Sequence, residues 1–167
     1  MKIDFPTLPD SPLGRCLAGW HDVLTEGPAA LDRVIADDAV LHSPVLFTPQ
    51  HGKDLVVMYL TGATMSFGGD GASTDGSGVP RTFRHPAGGE WDGRFRYIRF
   101  VLGERDAILE FETVMAGRYV NGVDMITCDD DGKIVDFKVM VRPMQAVDAV
   151  RELMLRALEQ LQGGGEP

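Results

Sequence analysis

The residue type most out of place in this chain is Asp124, a lone carboxylate within the mostly apolar run Tyr119–Cys128. A carboxylate on a buried strand is costly unless it is neutral, paired or solvated by a cavity. Asp124 is therefore either a pocket group able to give or take a proton, or a structural carboxylate bonded to a helix end or to an arginine such as Arg142. His42 is the second candidate, because an imidazole titrates near neutrality and suits a general base paired with Asp124. Its neighbour Ser43 lies on the opposite strand face by alternation, so a Ser43 that points inward leaves His42 pointing outward. Ser43 reads as a polar pocket group; no G-x-S-x-G elbow surrounds it to make it a nucleophile. Glu110 and Glu112 alternate with Leu109, Phe111 and Thr113, which puts both carboxylates on the wetter face, toward solvent or a second subunit. Trp20, Phe111, Phe137, Val139 and Val141 are the expected apolar lining, with plain core packing as the alternative. Trp91 and His85, beside a glycine-rich stretch, are placed to close over a ligand.

Three consecutive strands must position Asp124. Ala107–Met115 alternates and ends at Gly117; Tyr119–Cys128 contains Asn121-Gly122, a turn or bulge signal; Asp129–Gly132 makes a hairpin turn into Ile134–Val141. Before them, residues 1–10 form an extended lead-in with two prolines. Ser11-Pro12 opens a helix, capped by Ser11 or Asp10, with Leu13, Cys16, Leu17, Trp20 and Leu24 as its apolar stripe and Gly27 as its stop. A second helix is expected from Pro28 to about Asp38, a short strand over Val40–His42, and a third helix over Lys53–Thr64. Residues 68–92 are rich in Gly, Ser and Pro and read as a long loop, with a short hairpin expected around Arg81–Phe83. Tyr97–Leu102 is a further strand. After Pro143, residues 144–162 form an amphipathic helix with Val147, Val150, Met154, Ala157 and Leu161 on one face, ahead of a tail at 163–167. Helices first and antiparallel strands after predict an α+β domain over 11–143 with helices on one face of a sheet.

Composition narrows the function. The 167 residues suit one domain that buries roughly 70% of its unfolded surface. A net charge of −9 without a Lys/Arg cluster argues against nucleic acid and anionic membrane as partners. No apolar run approaches the about 20 residues of a membrane span, and MKIDFPTLPD has no apolar signal region, so a cytoplasmic location is expected. Cys16 and Cys128 have no metal or redox spacing and are expected as free buried thiols. The four histidines lack H-x-H or H-E-x-x-H spacing, and the glycines form no dinucleotide or phosphate loop, so neither a metal nor a nucleotide cofactor is expected.

A series of short motifs then carries a resemblance: Ala36–Ala39, Val40-Leu41-His42-Ser43-Pro44, His51-Gly52-Lys53-Asp54, Gly122–Ile126 and Asp131–Ile134. In this order and spacing they resemble the nuclear transport factor two-like superfamily, over about Leu13 to Pro143. That group includes ketosteroid isomerase, scytalone dehydratase and the SnoaL-like polyketide cyclases. The resemblance implies a cone, a curved mixed sheet wrapped around helices, with an apolar pocket at its open end and often a homodimer. An isomerase aspartate eight residues before the turn glycine, part of the oxyanion hole, falls on Asp124. The isomerase general base falls on Ser43, which cannot take a proton from carbon unaided. The oxyanion tyrosine falls near Ala18, and Tyr59 lies one residue from a supporting tyrosine. Steroid isomerisation is therefore not expected. Two functions stay open: a cofactor-independent isomerase, cyclase or dehydratase-like enzyme on a small hydrophobic carbonyl compound, using Asp124, or a module that binds a hydrophobic ligand or another protein. The 144–162 helix as a docking element is a third.

Overall fold

The computed structural model of the chain describes residues 5–66 and 82–163. Helix α1 (Pro12–Glu26) starts where Ser11 Oγ accepts the Gly14 amide at 3.0 Å, with Pro12 in the first turn, and ends at Gly27, whose φ of 107° suits a residue without Cβ. A 3-10 turn (Pro28–Ala30) and a single turn α2 (Leu31–Val34) lead directly into strand β1 (Ile35–His42). Strand β2 (Gln50–His51) and helix α3 (Lys53–Ser66) follow. The hairpin β3 (Phe83–Arg84) and β4 (Glu90–Trp91) precedes the long strands β5 (Arg96–Leu102), β6 (Asp106–Met115), β7 (Arg118–Cys128) and β8 (Ile134–Arg142), and α4 (Met144–Gly163) closes the chain.

The main sheet runs β2-β1-β8-β7-β6-β5, with β1 parallel to β8 and the other pairs antiparallel. This is the expected α+β cone: a curved mixed sheet that holds α1 and α3 on its inner face. Leu13, Cys16, Leu17, Trp20 and Val23 of α1 and Val56 and Leu60 of α3 meet Leu109, Phe111, Ile126 and Phe137 of the strands in one continuous core. A bulge in β5 bends the sheet edge. Tyr97 pairs with Phe111 and Arg99 with Glu110, so Ile98 is an extra residue and both Tyr97 and Phe100 face inward. Gly132, at φ 81°, turns β7 into β8 and packs on α1; a Cβ there would lie 2.9 Å from the Pro12 carbonyl oxygen. The two cysteines are free and buried, and their thiols are hydrogen-bonded to each other.

Several local expectations are corrected. The second helix stops at Val34, and Ile35–Asp38, read as its continuation, instead extends β1 along β8 across an irregular register. Asn121-Gly122 makes neither turn nor bulge. Both residues pair in regular register with β6 and β8, and Gly122 is required because a Cβ would lie 2.5 Å from Phe111 Cζ and 2.6 Å from the Met140 carbonyl. The expected hairpin is displaced to β3–β4, while positions 68–81 of the glycine-rich stretch lie outside the described residues. The α4 helix packs on its own domain, burying Ala146, Ala149, Val150, Met154 and Ala157; the Leu161 side chain lies outside the described set. Among the described residues no helix is long and apolar enough to cross a membrane.

Candidate functional site

Strand β7 alternates cleanly, with Val120, Gly122, Asp124, Ile126 and Cys128 facing the core. Asp124 is thereby 6% exposed and enclosed by apolar groups. It lines a cavity of about 40 Å³ with Trp20 and Leu24 from α1, Leu60, Ala63 and Thr64 from α3, and Phe95, Phe111, Phe137 and Val139. The Tyr97 hydroxyl donates to Asp124 Oδ2 at 2.5 Å, and Trp20 Nε1–H donates to the same hydroxyl oxygen at 2.9 Å. The result is a buried relay, indole to phenol to carboxylate, ending at the cavity wall. Burial pushes the Asp124 carboxyl up to about 7, and the Tyr97 hydrogen bond partly offsets this by favouring the ionised form. Burial, with the charge of Asp124 behind it, pushes the Tyr97 phenol well above its ordinary value. The phenol therefore stays a donor, and the carboxyl changes state near neutrality.

Aromatic packing holds the relay. Trp20 lies against Phe137 at a centroid distance of 4.8 Å, and Phe95 stacks on Phe111 at 5.2 Å. Tyr97 is gripped edge-on by Phe95 at 5.1 Å, and by Phe5 and Phe100 at 5.7 Å each. The lead-in segment thus contributes Phe5 to the back of the site, beside its extended path over the start of α1.

Of the residues singled out in the sequence, Asp124, Trp20, Phe111, Phe137 and Val139 meet in this cavity. Ser43 and Tyr59 lie in an adjoining cavity of about 30 Å³ with Leu41, Pro44, Leu60, Ala63, Val139, Val150 and Met154. Val141 is partly buried against the core beside Gly122. His42 does not reach Asp124: it sits on the other side of β1, its Nε2 3.0 Å from Asp136 Oδ2 of β8. Arg142 pairs with Asn121 rather than with Asp124. Trp91 and His85 do not close over the cavity. They lie on the outer face of the sheet, where Arg96 stacks on Trp91 at 5.1 Å and both rings contact Tyr119.

That outer cluster also corrects the reading of Glu112. Its side chain is not solvated. The β3–β4 hairpin covers it, and it is 2% exposed, with His85 Nε2 at 2.9 Å, Arg96 Nε at 2.7 Å and the Tyr119 hydroxyl at 3.1 Å. Burial pushes the Glu112 carboxyl up, but these hydrogen bonds and the Arg96 charge outweigh it and hold it below its ordinary value. Glu110 does stay on the wetter side, paired with Arg99 at 3.2 Å. Among the described residues no group of three or more His, Cys, Asp or Glu side chains is placed to hold a metal ion.

Tyr97, the hydrogen-bond partner of Asp124, is the residue of the candidate site that sequence reading missed. Its signal was weak but present: Phe95 and Tyr97 alternate toward one face, a buried phenol needs a partner, and Asp124 is the carboxylate buried on that face.

A steroid delta-isomerase from Pseudomonas aeruginosa has this same architecture. It is 31% identical, with a TM-score of 0.73 over 94% of this chain and 99% of its own. The chain belongs to the nuclear transport factor two-like superfamily. A nuclear transport factor two-like protein of unknown function from Mesorhizobium loti is similar in fold, at 20% identity and a TM-score of 0.57 over 86% of this chain and 100% of that one. So is a bacterial protein with a cystatin-like fold from Silicibacter pomeroyi, at 24% identity and 0.63 over 84% and 83%. No family model and no curated protein matches the sequence. The resemblance expected an oxyanion tyrosine near Ala18 in α1, which is not a tyrosine. A tyrosine does reach Asp124, but from β5 rather than from α1.

Proposed function

We propose that the protein moves a proton on a small hydrophobic carbonyl compound held in the cone, without a cofactor, with Asp124 as the proton carrier. The observation that carries this reading is a carboxyl buried beside an apolar cavity, oriented by Tyr97 and titrating near neutral pH. Such a group serves as base and then acid within one turnover. The ionised carboxylate takes the proton from the carbon next to the carbonyl, and the C–H electron pair passes into the enolate. The Asp124 acid then returns the same proton to another carbon of the conjugated system. The net change is a proton shift with nothing oxidised or reduced. Trp20 and Tyr97 hold the carboxylate in place, and the aromatic walls exclude water. The 31% identical steroid delta-isomerase supports this class of reaction. Ser43 at the position of the isomerase base argues for a different proton path, one through Asp124 alone.

The test is solvent deuterium incorporation into a panel of cyclic and acyclic enones, followed by NMR. Exchange is expected in wild type, rising with pH through about 7 as Asp124 ionises. It is expected to be lost in Asp124→Asn. If Asp124→Asn exchanges every compound as fast as wild type, the catalytic reading is wrong. A second reading is favoured by Ser43 and by the small size of the Asp124 cavity: the cone holds a hydrophobic ligand without acting on it. Ligand-dependent shifts in the Asp124 carboxyl resonance with no exchange in any compound would establish that reading instead.

A further inference from the structure

The Asp124 cavity is the inner end of a row of three. It shares Leu60, Ala63 and Val139 with the cavity that contains Ser43. That cavity in turn shares Ser43, Tyr59 and Met154 with an outer chamber of about 260 Å³, lined also by Val45, Leu46, Arg151 and Leu155. The outer chamber alone approaches the ~300–1,000 Å³ of small-molecule sites. Its walls are apolar except for two hydroxyl-bearing residues and one cation. Arg151 projects from α4 at this mouth, and among the described residues it has no carboxylate partner, although the chain carries a net charge of −9. Among the described residues Arg15, Arg33, Lys53, Arg94, Arg96, Arg99 and Arg105 each pair with a carboxylate; Arg151 is one of the cations that do not, and the one that lines this chamber. A cation left unpaired beside an apolar chamber is placed to meet an anion brought in by a ligand.

We infer that the three cavities form one elongated site for an amphipathic acid, with its carboxylate at Arg151 and its hydrocarbon tail running past Met154 and Leu60 toward Asp124. The inference rests on the proposed function only for the inner end, where the reacting carbonyl would sit. Met154 and Leu60 are the passage residues. Both are flexible aliphatic side chains, and Met in particular adapts its shape to a chain threading past it. A neutral ketone of equal length would use the same apolar walls but gain nothing from Arg151.

The test is calorimetric titration of the full chain with decanoate and with 2-undecanone, in wild type and Arg151→Gln. Arg151 is exposed on α4, so the variant keeps the fold, checked by circular dichroism. Wild type is expected to bind decanoate, and the variant to bind it roughly tenfold or more weakly, as loss of a charge-assisted hydrogen bond requires. Binding of 2-undecanone is expected to be unchanged. Equal decanoate affinity in the two proteins, or no decanoate binding by wild type, overturns the inference. Asp124→Asn separates the two ideas. Arg151-dependent decanoate binding that survives in Asp124→Asn, together with no deuterium exchange by wild type, leaves this site standing and removes the catalytic reading. Exchange of neutral enones in the absence of decanoate binding does the reverse.

Discussion

Asp124 sets how this molecule responds to pH. Its carboxyl is raised from the usual 3.8 to about 7 in the folded chain, because burial penalises the charge. Between about pH 4 and about pH 7 the folded state therefore holds a proton that the unfolded state has released. Stability from this group is greatest at the low end, falls as pH rises through that window, and levels off above it. Asp124→Asn is expected to flatten that part of the profile and to be the more stable protein at about pH 8, measured by urea unfolding across the range. Tyr97→Phe acts in the opposite sense. It removes the donor that favours the ionised form, so the Asp124 carboxyl is expected to titrate higher, read from its carbon shift. It also strands the Trp20 indole N–H, at a cost of about 1–3 kcal/mol. At this scale the sequence was informative about single residues and silent about pairs. A carboxylate among apolar neighbours announces itself; its phenol partner lies 27 positions away and is brought there by strand pairing and a bulge that local alternation does not reveal.

Strand pairing explains which elements were legible. β6, β7 and β8 are legible to within a residue or two because β6 and β8 alternate, β7 is a mostly apolar run, and Gly117, Asp131-Gly132 and Pro143 mark their ends. Ile35–Asp38 reads as helix because Leu31, Val34 and Ile35 fit a helix locally; only the parallel partner β8 makes it a strand. Gly122 was legible as a glycine signal but not as its cause. Gly122→Ala pushes a methyl into Phe111 and the Met140 carbonyl, and is expected to cost about 1–3 kcal/mol in chemical denaturation while leaving the fold intact. The β3–β4 hairpin supplies a different case. Glu112, held below its ordinary carboxyl value, contributes stability that is present above the unfolded value and lost as pH falls toward the folded one. Glu112→Gln is expected to weaken the hairpin's hold on the sheet, seen as faster amide exchange in residues 83–91, and to reduce acid sensitivity at the low end.

For the molecule as a whole, α4 is what finishes the cone. Its Val150 and Met154 roof the Ser43 cavity, and it packs on α3, where Gly62 faces Met154 and Ala157. Ending the chain at Pro143 would uncover Leu60 and the Ser43 cavity; the expected result is lower thermal stability and binding of a hydrophobic dye. The extra residue in β5 bears on the shape of the same cone in another way. Ile98 is 46% exposed, and its removal would leave Tyr97 facing in, Arg99 facing out and Phe100 facing in, as they are now. Only the local bend would go. The bend of this sheet edge and the inward set of Tyr97 and Phe100 are thus written at different positions, so a lineage carrying this fold is free to straighten the edge by losing one residue while keeping the Tyr97 hydroxyl on the side of Asp124.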